Sequence, residues 1–517
     1  MPVTLHTEKR ANRAGAVKGR FTSLALVGAV ILVMAAVSLI SPIELFGLRT
    51  SRANLFPEFL EYDEEPLQEE FSADFDNLYE QISAESDSCA AADTSAVITF
   101  LEEGDSLPEF GRQFRIAFMG DSFIEGDILT KDLRESLQSE VGGRGVGFVP
   151  CALPFGVYRQ SAKSTGEGWR KFSIMKSKAV PEAYKDCFLA SGYMDAGPKG
   201  AVMTWEQKPL MEHLDSAGVC RIIFLSREGC SIEVSTAEGR EPVRFDVEAS
   251  PRLRQVVLRS YSSTITLKVT SGSLICYGAS FESPEGVIVD NFSVRSNSGD
   301  AIFHSNAALN RQLNDFLGYD LVVLQYGLNI MLPDKTNYSK YQAQLEDVIK
   351  YVKAGFPGSQ IVVMGVSERG VLRDGDTTYT SINSAPALSR HQKAAADAQG
   401  VLFWDTYGAM ESLGGLDAFV RNGWIAADRT HFNFYGGKAI AKKMYPFIKD
   451  VLVEKKRSDR GADSLRSVSP DSVLFAPARK APVAGNSAAS PAAGNSAVSP
   501  VHKAPADEKA NNPAQEK

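Results

Sequence analysis

The chain has 517 residues, enough for two or three domains with cores of their own, and a hydrophobic fraction of 44% that suits a folded protein. Its formal charge of −8 and the lack of any basic stripe or nucleic-acid motif exclude a nucleic-acid partner. The six cysteines are scattered without a Cys-x-x-Cys pair, so neither a zinc nor a thioredoxin-type site is expected, and nothing calls for a cofactor.

The N-terminus carries Lys9, Arg10, Arg13, Lys18 and Arg20 against a single acid, Glu8. From Phe21 to Ile40 the residues are uncharged, and as a helix that run spans roughly 30 Å, the thickness of a bilayer core. Basic residues before the span and acidic ones after it predict a single-pass anchor in the inner (cytoplasmic) membrane. The N-terminus then lies in the cytoplasm and the bulk of the chain is periplasmic or otherwise extracytoplasmic, where disulfides are permitted. A cleaved signal peptide is the rival reading, since "VMAAVS" offers small residues, but the apolar run is long for one.

The next stretch is acidic, "PEFLEYDEEPLQEEFSADFD" from Pro57 to Asp76, and reads as a solvated stalk. Strand and helix signals then alternate. "FRIAFMG" (Phe114–Gly120) suits a buried parallel strand, and a helical pattern follows over Ile128–Glu140. Between about 150 and 290 the helix signals fade. "VCRIIFLS", "CSIEVSTAEG", "VRFDVEAS", "RQVVLRSY", "STITLKVTSG" and "SLICYGASFES" arrive at intervals of about ten residues and read as antiparallel strands of an inserted β-sandwich. Such a module either binds glycan or merely packs. The alternation resumes with strands at Tyr319–Gly327, Gln360–Ser367 and Val401–Asp405 and helices at Tyr341–Phe356, Leu388–Gly400 and Tyr435–Lys455. That order predicts an α/β fold with a parallel sheet covered on both faces. Past residue 456 aromatics give way to Ala, Pro, Ser and Asn, and "AGNSAASPA" is followed by "AGNSAVSPV", a composition that predicts disorder. The expected organisation is a cytoplasmic N-terminus (1–20), transmembrane anchor (21–48), acidic stalk (49–90), first part of the α/β domain (91–153), inserted β-sandwich (154–285), second part (286–455) and disordered tail (456–517).

One stretch poses a chemical question. "IAFMGDSFIEGD" runs a hydrophobic strand into Gly120-Asp121-Ser122. A strand-end turn explains it blandly; a presented nucleophile explains it chemically. A serine needs a base, and the base an orienting group. Of the six histidines, His6 precedes the anchor, His502 lies in the tail, His213 sits in the inserted strands and His391 in a helix pattern, while His304 reads as structural. His431 in "AADRTHFNFYGG" stands in a loop before the last helix, with Asp428 three residues upstream, a spacing that lets the carboxylate reach Nδ1 while Nε2 faces away. "LQYGLN" sets Gly327 and Asn329 directly after a buried strand, and "RSNSGD" sets Gly299 in a turn, so both could aim donors at a developing oxyanion.

The order Ser122, Gly299, Asn329, then Asp428 with His431 resembles the SGNH (GDSL-type) hydrolase family, whose name lists a serine, a glycine, an asparagine and a histidine. "GDS", "NSG", "GLN" and "DRTH" look like its four blocks, over about 112–153 and 286–452. The resemblance implies a three-layer α/β/α fold. It implies Ser122 as nucleophile, His431 as base, Asp428 as its orienter, and an oxyanion hole made by the N–H groups of Ser122 and Gly299 with the Asn329 amide. Phe123 departs from the Leu or His that many members carry, at a position outside the chemistry. The inserted strands between the first two blocks, leaving through "GVIVDNFSVRSNSG", are similar in layout to bacterial peptidoglycan O-acetylesterases, which carry a carbohydrate-binding-module-like jelly roll there. That implies a partner in an acetylated envelope glycan, with removal of its O-acetyl groups by a membrane-anchored esterase. An O-acetyltransferase acting on an envelope glycan and a non-catalytic glycan-binding protein stay open as alternatives.

Overall fold

A computed structural model describes residues 112–151, 159–214, 217–236, 241–371 and 380–463, together with the main chain of Glu44–Leu45, Leu48–Arg49 and Val97–Phe100. In chain order the elements that matter are β1 (Gln113–Gly120), α1 (Thr130–Val141), β2 (Gly147–Pro150), β3 (Ala162–Glu167), β4 (Arg170–Ser173), β5 (Tyr193–Pro198), β6 (Val202–Gln207), β7 (Val219–Leu225), β8 (Cys230–Thr236), β9 (Val243–Val247), β10 (Leu253–Arg259), β11 (Thr264–Glu282), β12 (Gly286–Ser293), α2 (Ala307–Leu317), β13 (Tyr319–Gln325), α3 (Ser339–Gly355), β14 (Gln360–Met364), α4 (Ser384–Ala398), β15 (Leu402–Trp404), α5 (Thr406–Glu411), α6 (Gly415–Arg421) and α7 (Phe434–Asp463).

The parallel sheet has five strands in the order β12-β1-β13-β14-β15. β1 and β13 are buried nearly end to end, which is why their sequences are apolar without alternation. From β1 the chain moves outward to β12, then jumps back over β1 to β13 and continues outward through β14 to β15. Right-handed crossovers therefore set α1 on one face and α2, α3 and α4 on the other. α7 packs against α1, α2 against α3, and α3 against α4, which completes three layers. The winding direction reverses between β1 and β13. The loops leaving those two strands thus flank the crevice where ligands of open α/β sheets bind.

β12 is a finding the sequence pattern did not deliver. "GVIVDNFS" reads as the exit of the inserted strands, yet it pairs in parallel with β1 along its whole length, Gly286 opposite Gln113 and Ser293 opposite Gly120. A short apolar run does not reveal which neighbour it will take.

The inserted region also differs from the expected β-sandwich. Its strands form one curled sheet of eleven, organised by the 19-residue β11. The first half of β11 pairs with β8 and β6, the second with β7, β5 and β2. The register shifts against β8 between Ser231 and Ile232 and against β7 between Ile223 and Phe224, and irregularities of this kind bend a strand. Two sheet halves that face each other across one core thus share a strand. The boundary at 153/154 is not clean either. β2 belongs to the curled sheet, and Val97–Phe100 pairs in parallel with β10. The cysteines at 151, 187, 220, 230 and 276 are all buried and unpaired.

A buried polar knot joins the two sheets. Arg115 of β1 donates from Nε to Asp290 of β12 at 2.7 Å, from Nη1 to Glu282 of β11 at 2.5 Å, and from Nη2 to Ser280 at 2.7 Å. Glu282 also accepts from Arg221 Nε of β7 at 2.5 Å. Burial alone would push the Glu282 carboxyl up, but the two guanidinium groups hold it down at about 2. Removing any one charge would strand its partners in the interior.

Two expected boundaries shift. α7 continues to Asp463, eight residues past the expected end at Lys455. Of the expected anchor (21–48), only Glu44–Leu45 and Leu48 are described. They belong to a two-residue antiparallel hairpin closed by Arg49, so the helix does not run through them. The remainder of that anchor, the acidic stalk and the sequence after 463 lie outside the described residues. Among the described residues no helix is long and apolar enough to cross a membrane.

Candidate active site

Gly120 ends β1 opposite Gln325, the last residue of β13. A Cβ on Gly120 would lie 2.7 Å from Gln325 Oε1 and 2.9 Å from its carbonyl oxygen, so only glycine fits. The chain then turns. Asp121 Oδ1 accepts the N–H of Phe123 at 2.8 Å, and its own N–H donates to Gln325 Oε1 at 3.2 Å. This turn lifts Ser122 to the crevice.

The turn is clamped from two sides. Asp127, in a left-handed conformation (φ +64°), accepts from Thr130 Oγ1 at 2.8 Å and Arg159 Nε at 3.0 Å. Burial opposes its ionisation, but Arg159 and Arg134 hold its carboxyl well below the usual carboxylate range. On the other side Phe123, fully buried, packs its ring on Phe432 with centroids 4.6 Å apart. Phe432 in turn lies against Phe419, and Phe419 against Trp424. Phe123 therefore fastens the Ser122 turn to the loop that bears His431, a role not legible from its place beside Ser122 in the sequence.

The His431 loop is a tight hairpin closed by a bridge between Ile425 and Phe432. Ala426 N–H donates to His431 O at 2.7 Å, and Arg429 takes φ +54° to make the turn. Asp428 Oδ1 accepts the N–H groups of Thr430 and His431 at 3.0 and 3.1 Å, while its Oδ2 lies 2.6 Å from His431 Nδ1. Partial burial works against the Asp428 charge, but the imidazole and the two backbone donors overcome it and hold the carboxyl at about 2. An ionised Asp428 must accept, so Nδ1 carries the proton and Nε2 presents its lone pair. That Nε2 lies 2.8 Å from Ser122 Oγ, bridging 309 residues of sequence. The geometry is a continuous relay from carboxylate to imidazole to hydroxyl.

Asn329 follows β13 on the short turn Leu328–Ile330. Its Nδ2 donates to Asp121 Oδ2 and to the Asn297 carbonyl, both at 3.0 Å. Gly299, at φ +105° in a turn that disfavours any other residue, donates its N–H to Asn297 Oδ1 at 2.8 Å. Of the three donors expected to face an oxyanion, two are therefore already engaged, both by Asn297. The Ser122 N–H has no acceptor among the described residues. Asp121 and Asn297 are the members of this cluster that sequence reasoning passed over. An acid directly after the apolar run Ile116–Gly120 was the available signal for Asp121; nothing marked Asn297. Burial pushes the Asp121 carboxyl up to about 7, against the opposing pull of the Phe123 N–H, His431 and Gln325. Two other histidines make ordinary side-chain contacts, His391 with Gln342 and His213 with Glu135, both at 2.9 Å.

A parallel sheet between helix layers, with Ser122, Gly299, Asn329 and Asp428/His431 carried in that order around its switch point, is the arrangement that the resemblance to SGNH-type hydrolases implies. The fold is similar to that of a solved peptidoglycan O-acetylesterase, which matches over 67% of this chain and 93% of that one, with 20% identity and a TM-score of 0.55. A family two carbohydrate esterase from Cellvibrio japonicus (8% identity, 56% of this chain, 98% of that one) and the periplasmic domain of a lipopolysaccharide acetyltransferase from Salmonella ser. Paratyphi A (14%, 32%, 74%) match more remotely, each with a TM-score of 0.24. No family model and no curated protein matches the chain.

Proposed function

We propose that this protein is a serine esterase that removes O-acetyl groups from a cell-envelope glycan, peptidoglycan being the leading substrate, and that an N-terminal helix holds it to the outer face of the cytoplasmic membrane. The observation that carries the reading is the relay Asp428–His431–Ser122, with contacts of 2.6 and 2.8 Å, at the switch point of the sheet. The likeness of fold to the peptidoglycan O-acetylesterase supports the substrate class.

In this reading His431 Nε2 takes the proton of Ser122 Oγ as the oxygen attacks the acetyl carbonyl. The charge that develops on the carbonyl oxygen meets the N–H of Ser122. A turn of the Asn297 amide releases the N–H of Gly299, and a shift of the Asn297 carbonyl releases one Asn329 proton, so both join it. The tetrahedral adduct collapses as His431 returns the proton to the departing sugar oxygen, which leaves an acetyl ester on Ser122. Water, deprotonated by the same nitrogen, attacks that ester. Acetate leaves, and Ser122 regains its proton.

The test is direct acetate release from O-acetylated peptidoglycan by the full-length protein, set beside Ser122→Ala and His431→Ala. Acetate release by wild type and its loss in both variants is the expected result. Acetyl appearing on an added sugar acceptor, in place of free acetate, would convert the reading to transfer. Equal release by Ser122→Ala would end it.

A further inference from the structure

A groove of about 660 Å³ lies beside the His431 loop, lined by Leu413, Trp424, Tyr435, Ala439 and the lysines at 438, 442 and 443. We infer that it is a subsite for an acidic glycan, in which a sugar ring stacks on Tyr435 and Trp424 and a carboxylate meets Lys438 and Lys442. The inference rests on the esterase reading and names the charge of its substrate.

Three observations carry it. The first is composition. The lining residues are aromatic, aliphatic and basic, with three lysines and no acid among them. The aromatic face suits the apolar face of a pyranose, and the lysines suit an anion. The second is the state of those lysines. In a chain of net charge −8, Lys438, Lys442 and Lys443 have no acidic partner among the described residues, whereas Lys449 on the same helix pairs with Glu140. Tyr435 is 73% exposed, so its ring face is open to a ligand. The third is continuity with the reacting atoms. Trp424 and Tyr435 bracket the loop that bears Asp428 and His431. Asn433 locks that bracket: its N–H donates to Trp424 O at 3.1 Å, its Nδ2 to Gly423 O at 2.6 Å, and its Oδ1 accepts from Tyr435 N–H and Gly436 N–H at 3.0 and 3.2 Å. Tyr435 lies four positions after His431, a reach of at most about 14 Å. In this proposal a glycan with its acetyl group at Ser122 lays a nearby sugar along the groove. A concave slot holds one chain edge-on, which a flat lipid surface does not match.

The carboxylate can belong to a uronic acid or to an acidic substituent such as a lactyl or peptide group, and the assay separates the two. Acetate release is measured with three polymers: O-acetylated peptidoglycan strands, an O-acetylated polyuronate, and neutral O-acetylated xylan. The full-length wild type is compared with Lys438→Ala/Lys442→Ala, Tyr435→Ala, and Lys393→Ala as a control on a distant helix. The double lysine variant is expected to lower the ratio of kcat/KM for acidic over neutral polymer by about tenfold, through KM, with salt erasing the wild-type preference. Tyr435→Ala is expected to raise KM for acidic and neutral polymers alike, since stacking does not read charge. Loss confined to the peptidoglycan strands or to the polyuronate identifies the source of the carboxylate. An unchanged acidic-to-neutral ratio in the double variant overturns the proposal. So does the same ratio accompanied by lost binding to phosphatidylglycerol vesicles, which would assign the lysines to a lipid surface. Should wild type release no acetate from any polymer, the esterase reading fails by itself. Binding isotherms with de-acetylated polyuronate and peptidoglycan then decide the groove, and equal affinity of wild type and double variant for both overturns it.

Discussion

Replacing Asp428 by asparagine removes one charge and puts an NH2 group where an acceptor oxygen stood. Which way the new amide points is decided by the backbone. The N–H groups of Thr430 and His431 converge on Oδ1 at 3.0 and 3.1 Å, so the asparagine oxygen must stay there, and its NH2 must take the place of Oδ2, 2.6 Å from His431 Nδ1. A donor facing Nδ1 forces the imidazole proton onto Nε2, where it meets Ser122 Oγ and blocks proton abstraction. The stability cost is small. The native carboxyl sits near 2 against an ordinary 3.8, which uncorrected corresponds to about 2.5 kcal/mol. The side chain is 46% exposed, so solvent screening reduces that to about 1 kcal/mol or less. A depressed carboxyl contributes its stability above pH 3.8 and loses it as pH falls toward 2, so at neutral pH the full, small penalty applies. The expected outcome is a kcat lower by about 10³- to 10⁴-fold with nearly unchanged urea denaturation. Acetate release is the assay. A variant that retains kcat within about tenfold of wild type would refute the relay, whatever its stability.

Ser122→Ala and His431→Ala should each abolish turnover to a similar degree, because members of one relay do not contribute additively, and a fluorophosphonate probe should label wild type but not Ser122→Ala. Asn329→Ala should lower kcat by about 100- to 1000-fold if its amide reaches the oxyanion; a loss seen only in KM would instead make Asn329 a binding residue. Asp121, raised from 3.8 to about 7 by burial, binds a proton in the native state that the unfolded state has released, so native stability falls as pH rises through that window. Asp121→Asn should flatten this dependence by up to about 4 kcal/mol between pH 4 and 7, read as the wild-type-minus-variant difference in denaturation free energy, and an unchanged slope would contradict the burial argument. Arg115→Met leaves Asp290 with only neutral donors, the Tyr319 hydroxyl and the Phe148 N–H, and Glu282 with Arg221 as its one cation, and should cost about 3–5 kcal/mol in unfolding experiments without altering KM.

The amino-acid sequence by itself determined the local features of this protein. Apolar runs without alternation marked β1, β13 and β14 as strands covered on both faces, and helical spacing marked α1, α3, α4 and α7, because those patterns follow from backbone period and burial alone. The Asp428-x-x-His431 spacing was equally legible, since both residues lie on one loop. What joins distant segments was decided by tertiary structure. β12 took β1 as its parallel neighbour, β11 bent to serve two halves of one curled sheet, and β2 left the α/β segment to pair with it. In each case the choice depended on which edge was free, a property no window of sequence contains. Phe123 drew its meaning from Phe432, 309 positions away, and Asn297 drew its meaning from two donors on separate loops. A polar residue's role is set by the partner it meets in a low-dielectric site, and that partner is fixed only when the strands have found their order.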